Sequence, residues 1–130
     1  MTFQRIVIAL NAVAWFGVGA WGLVAPESLL APVHITGDAT SWVELRAMYG
    51  GAELGLAGFL GWCLLDRART GVGLAGATLT LGGLGLTRTV SVFAFGPVVA
   101  LMWVFAVIEL AGIALNTAAW ITWQRAVEKN

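Results

Sequence analysis

Four ionisable side chains stand inside apolar stretches of this sequence: Arg46, Glu53, Arg88 and Glu109. Acids and bases held in a low-dielectric medium have two uses. They can neutralise one another as a buried polar lock that fixes which helices are neighbours. Alternatively, the arginines can hold an anionic or carbonyl group while an acid stays free to bind a proton. An uncompensated ion at a bilayer centre costs at least about 2.5–3.5 kcal/mol, so none of the four is expected to face lipid. The expected pairing is Glu53 with Arg88, and Glu109 with Arg46 or Arg88, helped by Tyr49, Asn11 and Asn116.

Other chemistry is sparse. His34 is the single histidine and Cys63 the single cysteine, which excludes two-histidine haem or metal ligation within one chain, an internal disulfide and a CxxC redox centre. Cys63 reads as a core thiol and His34 as a solvated loop residue. No glycine loop stands on a strand-to-helix turn, and a pair of carboxylates alone is too common a pattern to assign catalysis. No catalytic residue, metal site or cofactor is therefore expected.

The elements that position these residues must be membrane helices. Of the 130 residues, 59% are hydrophobic and 11% charged, whereas soluble domains carry about 25% charged residues. Mean hydropathy is +0.86. At about 20 residues per span, the length accommodates four spans and little else. The expected architecture is all-α: an antiparallel four-helix transmembrane bundle forming one domain over residues 1–130, with spans at about 6–25, 43–65, 71–92 and 98–123. The first span has the outline of a secretory signal, but its apolar run is longer than about 7–15 residues, and Leu23-Val24-Ala25 is a poor cleavage site, so it is read as a retained helix. Asn11 is expected to look into the bundle.

The central span organises the rest. Ser41 followed by Glu44 has the spacing of a capping box. Successive residues of a straight helix lie about 100° apart, which places Arg46, Tyr49, Gly50, Glu53, Ala57 and Leu64 on one face and Ala47, Gly51, Gly55 and Gly58 on another. The second face is smooth, and Gly51, Gly55 and Gly58 are expected to let another helix, the glycine-rich third span, approach closely. In the last span Met102, Phe105, Glu109, Gly112, Ile113, Asn116 and Trp120 share a stripe. At about 1.5 Å of rise per residue, Glu53 and Glu109 each lie roughly 15 Å deep in a core about 30 Å thick. Trp62, Trp120, Trp123, Trp21 and Trp42 fall near the two interfaces, with Trp15 and Trp103 deeper, as packing residues.

The run Glu44-Leu45-Arg46-Ala47-Met48-Tyr49-Gly50-Gly51, continuing Leu54-Gly55-Leu56-Ala57-Gly58, resembles the signature of the small bacterial membrane proteins grouped as domain of unknown function 4345. The resemblance implies a four-helix membrane fold in a bacterial membrane and carries no reaction with it. The hydropathy pattern is also similar to that of a wider class of small four-helix proteins that includes the thiosulfate:quinone oxidoreductase membrane subunits.

Formal net charge is zero and no basic run is present, so nucleic acid is not an expected partner. The expected function is that of an accessory or structural subunit of a membrane assembly, without a catalytic centre. Its partners are the lipid bilayer and a larger complex or a second copy. The alternative is a binder or carrier of a small lipophilic ligand, quinone or lipid, at the Arg/Glu cluster. Arg5, Arg67, Arg69, Arg125 and Lys129 gather on one side, which predicts an inner-membrane protein with both termini cytoplasmic. A thiol probe added from outside should reach a cysteine placed at position 34 or 38 and fail at 67–70; the opposite pattern would overturn the topology.

Overall fold

The computed structural model describes residues 2–128, which contain helices and no strand; Lys129 lies outside the described residues. Helix α1 spans Thr2–Val24, α5 spans Thr70–Ala94 and α6 spans Ala100–Val127. These three, α5 with its leading turn from Arg67, are long and apolar enough to cross a membrane. Between α1 and α5 the chain is more broken. A short helix α2 (Pro26–Leu30), with Pro26 in its first turn where the missing N–H costs nothing, runs into a 3-10 turn at Ala31–Val33. Then α3 (Ala39–Arg46), a π-helical turn (Ala47–Ala52) and α4 (Glu53–Leu64) follow end to end. The helical stretch expected at 43–65 thus begins earlier, at Ala39, and is interrupted midway, and it is not one of the three candidate spans.

The start of α3 corrects the expected capping box. Asp38 is the cap: its carboxylate accepts the Ser41 backbone N–H at 2.9 Å and the Ser41 hydroxyl at 2.8 Å. Ser41 already lies in the first turn, and Glu44 is exposed. An aspartate reaches the N–H three residues on as well as a serine does, and its charge gains from the helix dipole. The turn before α5 is built likewise, with the Asp66 carboxylate accepting the Ala68 N–H at 2.9 Å.

Helix α1 packs along the π turn and α4, and α5 packs along α6; smaller contacts join α1 to α5 and α6, and α4 to α5. Val7, Ile8, Leu60, Leu74, Ala77 and Ala119 form the buried core, with Trp15, Phe59, Trp120 and Trp123 packed around it. Polar ties close the same end. Gln4 Nε2 donates to Thr122 Oγ1 at 3.0 Å, and Arg5 Nη2 donates to the Leu64 carbonyl at 2.6 Å. The start of α1, the end of α4 and the end of α6 therefore lie together. Trp103, expected to pack in depth, is 43% exposed and meets Phe93 edge-on at 5.1 Å.

The expected glycine contact is also corrected. Among the described residues, nothing lies within 4 Å of where a side-chain carbon would stand on Gly51, Gly55 or Gly58. The close approach is made by other glycines. A side-chain carbon on Gly19 would come within 2.8 Å of the Leu54 nitrogen, one on Gly50 within 2.9 Å of the Leu23 Cα, and one on Gly22 would collide with the Tyr49 carbonyl oxygen. Within uninterrupted α4, Gly55 and Gly58 stand away from the buried Ala57 and Leu60, so their small size permits a close contact without requiring one. The π turn before them acts on a different relation: its i→i+5 bonding takes up about one extra residue, which rotates everything beyond it by about 100° relative to a straight helix. Faces counted through the turn do not persist across it. Helix α5 divides its small residues between two neighbours: Gly71 lies beneath Trp123 and Gly85 against Glu109 and Ile113 of α6, while Gly73 and Gly76 meet Cys63 and Phe59 of α4, so the third long apolar run does pack on the central segment, through its own glycines.

Two outcomes follow from these contacts. Gly22→Ala should destabilise the protein by about 1–3 kcal/mol, because the new carbon meets backbone that cannot rotate away, while Gly55→Leu should leave the isolated chain's stability unchanged. Thermal unfolding in detergent measures both, and the reverse order would refute the seam. At the cap, the Ser41 amide and hydroxyl hold the Asp38 carboxyl below the usual carboxylate range. A depressed folded pKa means the cap's support is full above the unfolded value and is lost as pH falls through the folded one. The Ser41 amide resonance should therefore titrate with a midpoint below that of an unperturbed aspartate; an unshifted midpoint would show that the cap is not formed.

Candidate intramembrane polar site

The charged residues separate into one closed pair and two lone groups. Arg88, on α5, donates through Nε to both carboxylate oxygens of Glu109 on α6, at 3.0 and 2.8 Å. Gly85, one turn before Arg88, is what brings the helices close enough. A side-chain carbon there would stand 2.9 Å from Glu109 Cβ. The Arg88 guanidinium lies 5.4 Å from the Phe105 ring centre, and its Nη1 is 3.7 Å from Met102 Sδ. The side chains are 28% and 13% exposed. This meets one of the two pairings expected for Glu109.

The pairing expected for Glu53 is not formed, because Arg88 is already committed to Glu109. Neither Glu53 nor Arg46 makes a hydrogen bond or ion pair among the described residues, although both are half-buried. They stand seven residues apart, a spacing that aligns side chains on a straight helix, but the π turn lies between them and turns them away from each other. Glu53 is set at the seam with α1, its Cβ 3.0 Å from where a carbon on Gly19 would be. Tyr49, in the turn itself, is 36% exposed and unbonded.

Asn116 belongs to a second polar layer rather than to the charges. Its Oδ1 accepts from Asn11 Nδ2 at 3.2 Å, joining α6 to α1. Each amide nitrogen also donates to its own helix, Asn11 to the Val7 carbonyl at 2.8 Å and Asn116 to that of Gly112 at 2.9 Å. Asn116 is 1% exposed. The expected inward position of Asn11 is thus observed. Gln4 extends this layer and was missed by sequence reasoning, since it precedes the first expected span. The signal was its position seven residues before Asn11, on the same helical face. Gln4 is 5% exposed, and its Oε1 has no partner among the described residues.

Two grooves open on the surface. One of about 410 Å³ has Thr87, Arg88, Ser91, Phe95, Val98 and Met102 in its walls. The other, of about 400 Å³, lies between α1 and α4 over Gly58 and is lined by apolar residues alone. No group of His, Cys, Asp or Glu that could hold a metal ion occurs among the described residues.

The family model described as Domain of unknown function (DUF4345) matches residues 3–120. The chain belongs to this family. The matched stretch runs from the start of α1 into the last third of α6, so Arg46, Glu53, Arg88, Glu109 and both asparagines are positions of the family domain. Comparison with curated proteins and with solved structures gives no match.

The pair and the lone acid should behave differently on neutralisation. Arg88→Gln and Glu109→Gln should each cost about 1–3 kcal/mol, less than a fully buried pair because Arg88 is partly exposed, and the double variant should cost less than their sum. Arg88→Gln combined with Glu53→Gln should be additive, since the two do not touch. Chemical unfolding in micelles gives the cycle; coupling between Arg88 and Glu53 equal to that with Glu109 would contradict the pairing.

Proposed function

We propose that this protein is an accessory or structural subunit of a membrane assembly and catalyses no reaction of its own. In this reading Ala39–Leu64 is a fourth span, completing an antiparallel four-helix bundle in the inner membrane of a bacterium with both termini cytoplasmic. The observation that carries it is that Arg46 and Glu53 go unanswered among the described residues while Arg88 and Glu109 answer each other. An ionisable group at membrane depth is costly unless it is paired, faces water or is neutralised. A partner helix supplying a hydrogen-bond donor to Glu53 and an acceptor to Arg46 removes that cost.

The surface beside these groups suits such a partner. Gly51, Gly55 and Gly58 leave open space outside α4, and small residues are what let two membrane helices approach when lipid provides no hydrophobic drive between them. A wide turn at Ala47–Ala52 adds to the same picture, because π turns recur at functional sites. The expected contact of the glycine face with a helix is thereby moved from inside the chain to outside it.

Purification from native membranes in mild detergent tests the proposal. The wild-type chain should carry a stoichiometric membrane protein or a second copy. Gly55→Leu and Glu53→Gln should fold with normal thermal stability and lose that companion. A lone monomer from native membranes, with Glu53→Gln unchanged in yield and behaviour, would overturn the proposal.

A further inference from the structure

The groove beside the ion pair has a polar wall and an apolar wall. On the polar side are Arg88, Thr87 and Ser91; on the other are Leu84, Phe95 and Val98. The polar wall is under-used. Arginine carries five N–H donors, and those of Arg88 are engaged through Nε with Glu109 and, at 3.7 Å, through Nη1 with the weak acceptor Met102 Sδ. Thr78 and Thr89 of the same helix donate to the carbonyl four residues back, at 2.8 and 2.6 Å. Thr87 and Ser91, which line the groove, leave their hydroxyls without a partner among the described residues.

Charge decides what these donors can accept. Glu109 already neutralises Arg88, so an anion entering the groove would leave a net negative charge at membrane depth beside a carboxylate. A neutral oxygen acceptor takes the spare N–H and O–H donors without that cost. The volume, about 410 Å³, is within the range of small-molecule sites, and the apolar wall suits a hydrocarbon or ring. We propose that this groove binds a neutral lipophile through a carbonyl oxygen, of the kind carried by a quinone ring or a glycerolipid ester, and discriminates against fatty-acid anions. The site rests on the Arg88–Glu109 pair and is independent of any partner at Arg46 and Glu53.

A matched pair of probes tests it: a diazirine-bearing methyl ester of a long-chain fatty acid, and the corresponding free acid, applied to the purified protein in micelles at about pH 9, where the acid is ionised. The ester should label residues 84–102 saturably, and the acid about tenfold less. Leu84→Trp, which fills the groove, and Thr87→Val with Ser91→Ala, which removes the hydroxyls but keeps the ion pair, should each reduce ester labelling severalfold without changing the unfolding temperature. Competition by decylubiquinone would identify a quinone-type ligand and competition by dioleoylglycerol an ester-type one; either supports the site. Equal labelling by ester and acid, or labelling that neither saturates nor falls in Leu84→Trp, would reduce the groove to ordinary lipid contact and overturn the proposal.

Discussion

Gly22 and Gly50 let the backbones of α1 and the π turn touch, and beside the Tyr49 carbonyl there is no room for even one side-chain carbon on Gly22. Membrane helices gain little from burying apolar surface against one another, because lipid is as apolar as they are. Association depends instead on close van der Waals contact and on polar bonds between helices. The seam therefore sets the height and rotation of α1 against the α3–α4 segment, and with it the position of Glu53 beside Gly19. It also accounts for the wide turn's place in the chain. The turn carries two adjacent glycines, Gly50 and Gly51, of which the first makes the contact and the second faces out.

The two kinds of charge follow from where the helices can meet. Gly85 draws α6 onto α5 and closes Arg88 on Glu109 in a geometry where Nε serves both carboxylate oxygens. Such a pair is neutral as a unit, so its partial exposure to lipid is tolerable where that of a lone ion is not. Among the described residues no such partner reaches Arg46 or Glu53, and at Glu53 the facing position of α1 is Gly19, which has no side chain to offer. The charges on one helix pair thus answer each other, while Arg46 and Glu53 have no ion pair or hydrogen bond among the described residues.

Composition and hydropathy made the membrane-helical class legible, and the three long helices lie where the apolar runs put them. The Asn11–Asn116 contact and the Glu109–Arg88 pair were also within reach, since each depends on residues in uninterrupted helix, where angular counting holds. A face drawn through residues 47–52 assumes a straight helix, and a π turn has no composition that distinguishes it from glycine-rich α-helix, so Arg46 and Glu53 align by counting and not in the structure. Gly55 and Gly58 lie in uninterrupted α4, where small size permits a close contact and does not require one; with Gly51 they look out. The cap at Asp38 was missed for a different reason: two side chains three residues apart, Asp38 and Ser41, both suit the role, and only the structure shows which one accepts the N–H.

Burial is distributed unevenly along the molecule, and this bears on how it works. Most of the fully buried side chains, among them Val7, Ile8, Leu60, Cys63, Leu74 and Thr70, gather where α1 begins and α6 ends, stitched by Gln4 to Thr122 and Arg5 to Leu64, while Pro26 is buried at the other end. At the other end stand the ion pair, the groove beside it, the unpaired Arg46 and Tyr49, and the loop from His34 to Asp38. Both ends are packed, the second by the seam of Gly22 against Tyr49, but only at the second does a charge, Arg46, stand without a polar contact among the described residues. A protein that needed only to fold would gain by replacing lone charges at membrane depth with apolar residues, since a buried ionic group seldom adds net stability over a well-packed hydrophobic one. On the proposed reading, in which Ala39–Leu64 spans the membrane, retaining Arg46 and Glu53 beside a glycine face and a wide turn makes physical sense because the energy they cost alone is returned by the partner that binds there.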